Sequence, residues 1–129
     1  MHSLTMNWSA RGTTVFTPAN VSHTHGTDPT FTPEKLIGGG NSTVFVDQSQ
    51  NLGPGPVGNY TWASVDNPNL GVSCHYDHPS GTGQTSVTAT PNGFLVSFDG
   101  THWSSTPITA NPKGSNITMT IYVSDTSSV

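Results

Sequence analysis

The histidines are the first candidates for chemistry, because two groups of them lie close together in the sequence. His23 and His25 are two residues apart, and His75, Asp77 and His78 form a second short group. If both segments are extended, alternate side chains share a face, and three or four of them could surround a zinc or copper ion. The spacing matches no established zinc signature, and exposed histidines on polar loops are the alternative interpretation. We therefore predict no metal ion and keep these five residues as weak candidates only.

The sequence contains few of the motifs used for nucleophilic catalysis, phosphate binding or glycoside hydrolysis. No G-x-S-x-G motif occurs, and Glu34 is the only glutamate available for a carboxylate pair. Gly81 and Gly83 lack the lysine and the strand–loop–helix setting of a phosphate-binding loop. Cys74 lies among strand-forming residues, where we expect a small buried side chain and not a reactive thiol. The sequence predicts a protein that is not an enzyme and has no cofactor.

The aromatic residues favour binding over catalysis. A tryptophan or tyrosine ring has an apolar body and one polar edge, so it can stack on a sugar or lie at the headgroup level of a bilayer. We predict a ligand-binding set of Tyr60, Trp62 and Trp103, with His102 beside the last of them. The alternative is that the rings complete a core that is short of aliphatic residues; we favour it for Trp8, it competes strongly for Tyr60 and Trp62, and it stays open for Trp103.

Charge is scarce in this chain. Its 129 residues include 3 Lys+Arg and 7 Asp+Glu, for a formal net charge of −4 at pH 7. Ser, Thr and Asn number 46, whereas Val, Leu, Ile and Phe sum to 25, which indicates a thin core under a polar surface. Three basic residues cannot line a phosphate backbone, so nucleic acid is excluded as a partner. A neutral or zwitterionic ligand is expected instead.

Location is predicted from the beginning of the chain and from the single cysteine. The first residues lack the basic and apolar regions of a signal peptide, and no stretch approaches the roughly 18 apolar residues of a membrane span. One cysteine forms no intrachain disulfide. We expect a cytoplasmic protein, or one released without a signal peptide, that becomes membrane-associated on its target.

The elements that position these residues are predicted to be strands. Residues 116–124 alternate apolar and hydroxyl side chains with a period of two. The pairs Asn92-Gly93 and Asp99-Gly100 are typical of hairpin turns, so residues 85–104 are predicted as a three-stranded meander. Residues 32–35, Thr-Pro-Glu-Lys, predict the start of a short helix that the glycines at 38–40 end. Further strands are predicted at 3–9, 13–17, 42–48, 58–65 and 70–77, with a loop at 48–58.

These elements predict an all-β fold. About eight short strands, spaced 8–12 residues apart, are typical of an antiparallel β-sandwich. No boundary divides the chain, so we predict a single domain over residues 1–129.

Three segments resemble the aegerolysins, a family of small acidic β-sandwich proteins. They are residues 32–45 (TPEKLIGGGNSTVF), residues 53–62 (GPGPVGNYTW) and residues 66–71 (DNPNLG), the last similar to the family's Asp-Cys-Pro-Trp-Gly segment. The resemblance implies a β-sandwich that recognises membrane lipids, as in small cytolysins and toxins. Because such a domain has no spanning element, perforation of a membrane would need a homo-oligomer or a larger pore-forming partner.

Two other functions remain open at this point. A carbohydrate-binding, lectin-like module would use Asn, Thr and His side chains to bind the hydroxyls of a neutral glycan, while one ring stacks on the sugar. A structural or storage protein would have no specific ligand.

Overall fold

The alternation seen in the sequence produces strands with one buried and one exposed face. In the first strand, every second residue from Leu4 to Ala10 is buried, and the residues between them point outward. The computed structural model describes residues 2–50 and 52–129. Met1, at the start of the chain, and Asn51, in the loop predicted at 48–58, lie outside the described residues.

Eleven strands form within the described residues. They are β1 (Ser3–Arg11), β2 (Val15–His25), β3 (Thr30–Thr32), β4 (Leu36–Ile37), β5 (Asn41–Asp47), β6 (Val57–Ser64), β7 (Gly71–Asp77), β8 (Ser86–Asn92), β9 (Leu95–Ser97), β10 (Ile108–Ala110) and β11 (Ile117–Ser124), followed by a 3-10 turn at Thr126–Ser128. One sheet has the order β3-β5-β1-β11-β9, and the other has the order β10-β8-β7-β6-β2-β4.

The core lies between the inner faces of the two sheets. Its centre is a cluster of aromatic rings in edge-to-face contact, with centroids between 5.4 and 6.5 Å apart. The four members of this cluster are Trp8, Phe31, Tyr60 and Trp62. Aliphatic residues from both sheets surround the rings. The large ring volumes compensate for the small number of Leu and Ile residues.

The predicted fold class, an all-β sandwich, is confirmed, but the strands differ in number and in one direction. There are eleven strands among the described residues and not about eight, because β3, β4, β9 and β10 have only two or three residues and are too short to show alternation. Strands β1 and β11 pair in parallel, with Leu4 opposite Ile117, so the sandwich is not wholly antiparallel.

The predicted helix after Thr32 is wrong. Leu36 and Ile37 form β4, which pairs with Val15 and Phe16 of β2. Leu36 is fully buried in the core, and its backbone is held in a ladder. Burial and sheet pairing therefore override the local helix-start signal.

The predicted meander at 85–104 is also wrong, because β8 and β9 belong to different sheets. The Asn92-Gly93 turn carries the chain from one sheet to the other. The second turn does bring the chain back to β9, since Val96 and Ser104 form an isolated antiparallel bridge. Gly100 in that turn has a φ of +77°, which favours glycine.

No helix in the described part of the chain combines the length and the apolarity that are needed to cross a membrane.

Candidate functional site

The four predicted ligand-binding residues do not form one surface. Tyr60 and Trp62 are both 0% exposed, on the inner face of β6. Their neighbours Asn59 and Thr61 take the outward positions of the strand. The prediction that Tyr60 and Trp62 contact a ligand is therefore wrong, because alternation places both rings in the core.

Hydrogen bonds explain how these polar rings tolerate burial. The indole Nε1–H of Trp8 donates to the Tyr60 hydroxyl at 2.8 Å, and that hydroxyl donates to the Met6 sulfur at 3.2 Å. Burial raises the pKa of Tyr60 well above its ordinary value. Burial likewise raises the pKa of Cys74 to about 12, so this thiol stays protonated at neutral pH. Trp8 and Cys74 are buried, as expected from the sequence.

The histidine groups do not come together as a metal centre. Among residues 2–50 and 52–129, no group of three or more His, Cys, Asp or Glu side chains is placed to hold an ion. His23 pairs with Asp28 at 3.3 Å and His75 contacts Asn59 at 2.8 Å. His78 is buried elsewhere, between a threonine hydroxyl and a backbone carbonyl. His25 is exposed at the end of β2, and Asp77 is half-buried at the end of β7.

The two remaining candidates, His102 and Trp103, belong to a hydrogen-bonded turn over residues 97–104. The Asp99 carboxylate accepts the backbone N–H groups of Thr101 and His102, both at 2.8 Å. Its other oxygen contacts His102 Nδ1 at 2.5 Å. The His102 and Thr101 N–H groups hold the pKa of Asp99 well below its usual range, so the carboxylate is ionised at all physiological pH values.

Both ends of this turn are anchored. The Ser97 hydroxyl accepts the backbone N–H of Gly100 at 2.9 Å. The backbone of Ser104 exchanges two hydrogen bonds with Val96 of β9, at 2.9 and 3.0 Å. Trp103, half-buried between these anchors, is held in a defined position at the surface.

Trp103 meets an arginine that the sequence prediction did not include. The guanidinium carbon of Arg11, at the end of β1, lies 5.2 Å from the Trp103 ring centroid and 6.0 Å from that of Tyr122. Parallel pairing of β1 with β11 places Ser9 opposite Tyr122, which brings the tyrosine ring beside Arg11. Both distances fall in the range of cation–π contacts. We call Arg11, Trp103 and Tyr122 the cation–aromatic cluster.

Within the described residues, the guanidinium of this cluster forms no ion pair. Arg11 is exposed, and neither ion pair formed by the described residues involves it. A guanidinium that stacks on rings keeps its edge N–H groups directed to solvent, where they can bind a phosphate or carboxylate.

A shallow hollow of about 320 Å³ lies beside the same turn. Phe98 and Ile108 supply its apolar surface, and Asp99 and His102 supply polar groups. The hollow therefore combines an apolar side with the charged Asp99 carboxylate, and its residue His102 precedes Trp103 of the cluster in the chain.

The sequence predicts that Arg11 and Tyr122 point outward, but it does not predict that they lie side by side. The alternation from Leu4 to Ala10 puts Arg11 on the outward face, and that from Ile117 to Val123 does the same for Tyr122. What brings them together is the pairing of the first strand with the last, and no local pattern specifies it.

Comparison with known proteins supports the fold only. No protein-family model matches the chain, and no curated protein matches it significantly in sequence. Among solved structures, the fold is similar to that of the RahU protein, solved in complex with a TRIS molecule, with a TM-score of 0.66 and 13% identity over 95% of this chain and 93% of that one. RahU is an aegerolysin-family protein. The chain thus shares its fold with an aegerolysin. A sequence identity of 13% supports similarity of the fold and nothing further.

Proposed function

We propose that this protein is a non-enzymatic module that recognises membrane lipids, in the manner of small cytolysins, through the cation–aromatic cluster. The observation that carries the proposal is the exposed Arg11 guanidinium, which lies over Trp103 and Tyr122 and has no ion-pair partner among the described residues. Of the three basic residues in the chain, Arg11 is the one that lies over aromatic rings among the described residues.

The chemistry of a phospholipid surface fits this cluster. The arginine fork donates two parallel hydrogen bonds to a phosphate. Tryptophan and tyrosine rings are favoured at headgroup depth, where one edge is wet and the body is apolar. The hollow beside Phe98 and Ile108 would accept the upper part of an acyl chain.

The fold and the surface charge also support the proposal. The sandwich is similar to that of an aegerolysin, and the net charge of −4 argues against attachment through general electrostatic attraction. We propose that the protein acts in the cytoplasm or after release from the cell, and that it becomes membrane-associated on its target. Perforation would involve a homo-oligomer or a larger pore-forming partner.

Co-sedimentation with vesicles tests the proposal. Vesicles of phosphatidylcholine, phosphatidylethanolamine, sphingomyelin and phosphatidylglycerol are offered to the native protein and to Arg11→Gln and Trp103→Ala. Loss of a charge-assisted contact should weaken binding about tenfold. Lys35→Gln, which removes an exposed cation outside the cluster, is the matched control and should bind as the native protein does. Native protein that sediments with none of these vesicles, or an Arg11→Gln variant equal to the control, would contradict the proposal.

A neutral glycan is the second candidate ligand, and a different surface favours it. A hollow of about 320 Å³ on the outer face of the six-stranded sheet is lined by uncharged residues that include Thr61, Ser73, Thr90 and Asn92. The hydroxyls of Thr61 and Ser73 lie 3.0 Å apart, a spacing suited to shared bonds with sugar hydroxyls. A glycan array with native protein and Thr61→Val tests this function: binding that Thr61→Val abolishes and Arg11→Gln leaves unchanged would favour the glycan.

A further inference from the structure

A second polar groove lies at the other end of β1 from the cation–aromatic cluster. It has a volume of about 480 Å³ and runs between two loops, residues 79–85 after β7 and residues 112–115 before β11. His2, just before β1, completes its lining. Its volume is in the range of small-molecule sites.

The groove is lined by one basic residue and by uncharged residues. It includes the Lys113 ammonium, several hydroxyls and the Gln84 amide, but none of the residues that line it is an acid. This is notable in a chain in which acidic residues outnumber basic ones by seven to three. Lys113 is exposed, and the ion pairs of the described residues leave it unpaired.

The glycine-containing loop adds backbone donors to the groove. No backbone hydrogen bond within the described chain is donated by the N–H groups of residues 81–84. Backbone N–H groups that no protein carbonyl accepts are available to donate to a bound anion. Lys113 lines the groove from residues 112–115, on the side opposite this loop.

A pair of stacked histidines holds the two loops in place. The rings of His2 and His78 lie 3.7 Å apart with an angle of 13° between their planes. His78 contacts the Thr85 hydroxyl at 2.7 Å and the Ser115 carbonyl at 2.8 Å, which ties one loop to the other. His2 Nε2 contacts the carbonyl of Pro79 at 2.7 Å. These contacts link the two walls of the groove to each other, which makes the site preorganised.

We propose that this groove binds a phosphate group carried by a small hydroxyl-bearing molecule. Lys113 and the N–H groups of residues 81–84 would bind the phosphate, and the hydroxyls and the Gln84 amide would bind the remainder. The phosphate would come from a soluble phosphorylated polyol or from a lipid headgroup. This site is separate from the cation–aromatic cluster and does not depend on the function proposed for it.

Chemical-shift mapping by NMR tests the proposal with defined probes. Inorganic phosphate, glycerol 3-phosphate and a neutral disaccharide are titrated into the native protein and into Lys113→Ala, Lys113→Arg and Lys35→Ala. Phosphate and glycerol 3-phosphate should shift the backbone amides of residues 81–84 and 113–115. Lys113→Ala should weaken this binding about tenfold, as expected for the loss of one charge-assisted contact, and Lys113→Arg should restore most of it. Lys35→Ala, an exposed lysine outside the groove, should have no effect.

The source of the phosphate is distinguished by a parallel arm with vesicles. Binding to phosphatidic acid vesicles that Lys113→Ala abolishes would identify a lipid headgroup, and binding of glycerol 3-phosphate alone would identify a soluble ligand. Either result supports the site. The proposal is overturned if phosphate leaves these amides unmoved, if Lys113→Ala binds as Lys35→Ala does, or if the neutral disaccharide shifts the same amides at equal or lower concentration.

Discussion

Two buried tyrosines with different hydrogen bonding provide a quantitative test of the aromatic core. Tyr60 and Tyr76 are both 0% exposed, and their ring centroids lie 6.2 Å apart. The Tyr60 hydroxyl accepts the Trp8 indole N–H at 2.8 Å, whereas the Tyr76 hydroxyl has no hydrogen-bond partner in the part of the chain that the structure describes. Replacing each tyrosine by phenylalanine removes one oxygen and keeps the ring.

The two substitutions should have different costs. Tyr60→Phe leaves the Trp8 N–H buried without an acceptor, which should lower the free energy of unfolding by about 1–3 kcal/mol. Tyr76→Phe removes a hydroxyl that makes no such bond, so its effect should be within about 0.5 kcal/mol of zero or stabilising. At roughly 3–6 °C per kcal/mol for a domain of this size, the two melting temperatures should differ clearly.

Urea denaturation and thermal melting, followed by circular dichroism, measure both changes. Equal stabilities for the two variants would refute the assignment of the Trp8–Tyr60 bond. If the Tyr60→Phe variant has native stability but no longer binds the vesicles that the native protein binds, Tyr60 contacts the ligand after all.

Three further predictions concern the core, acid stability and the turn. Trp62→Ala should lower the free energy of unfolding by about 3–5 kcal/mol, measured by urea denaturation, because the ring is fully buried. Burial lowers the pKa of His78 below its ordinary 6.5, so folded His78 stays neutral where the unfolded chain takes up a proton. Its contribution to stability is therefore complete above about pH 7 and is lost as pH falls through 6.5 toward the lowered pKa; thermal melts across this range should show the loss, and His78→Gln should flatten it. Gly100→Ala should reduce vesicle binding and stability more than Gly39→Ala, because both glycines have positive φ but only at Gly100 would the added Cβ lie 3.3 Å from the Tyr122 ring.

Each of these expectations has a contrary outcome. A stable Trp62→Ala variant would place that ring outside the core. An unchanged pH dependence in His78→Gln would assign the acid sensitivity to another group. Equal effects of the two glycine substitutions would mean that the turn does not position the cluster.

The strands with full alternation could be predicted from the sequence, and those that depend on distant pairing could not. The alternation ending at Val123 identifies β11, because each apolar residue there faces the core. The Asn92-Gly93 pair also specifies a turn correctly. It does not specify which sheet receives the next strand, and that choice depends on pairing of β9 with β11, far along the chain.

The candidate site was predictable only in part, for a related reason. Shared parity places Tyr60 and Trp62 on one face, but parity does not say whether that face is inside; their polar neighbours Asn59 and Thr61 settle it in favour of the core. Trp103 lies in a turn outside the named strands, where alternation does not predict burial, and it is half-buried. Its contact with Arg11 depends on the parallel pairing of the chain's two terminal strands.

Quenching of tryptophan fluorescence by vesicles with brominated acyl chains, made from the lipid that sediments the native protein, tests lipid recognition at the cation–aromatic cluster most directly. Trp8 and Trp62 are 0% exposed, so only Trp103 is placed to meet an acyl chain. Bromine quenches only rings that come close to it. The native protein should lose the Trp103 part of its emission on these vesicles, and Trp103→Phe should show no quenching. Emission that is unaffected in the native protein, or quenching that persists in Trp103→Phe, would contradict the account.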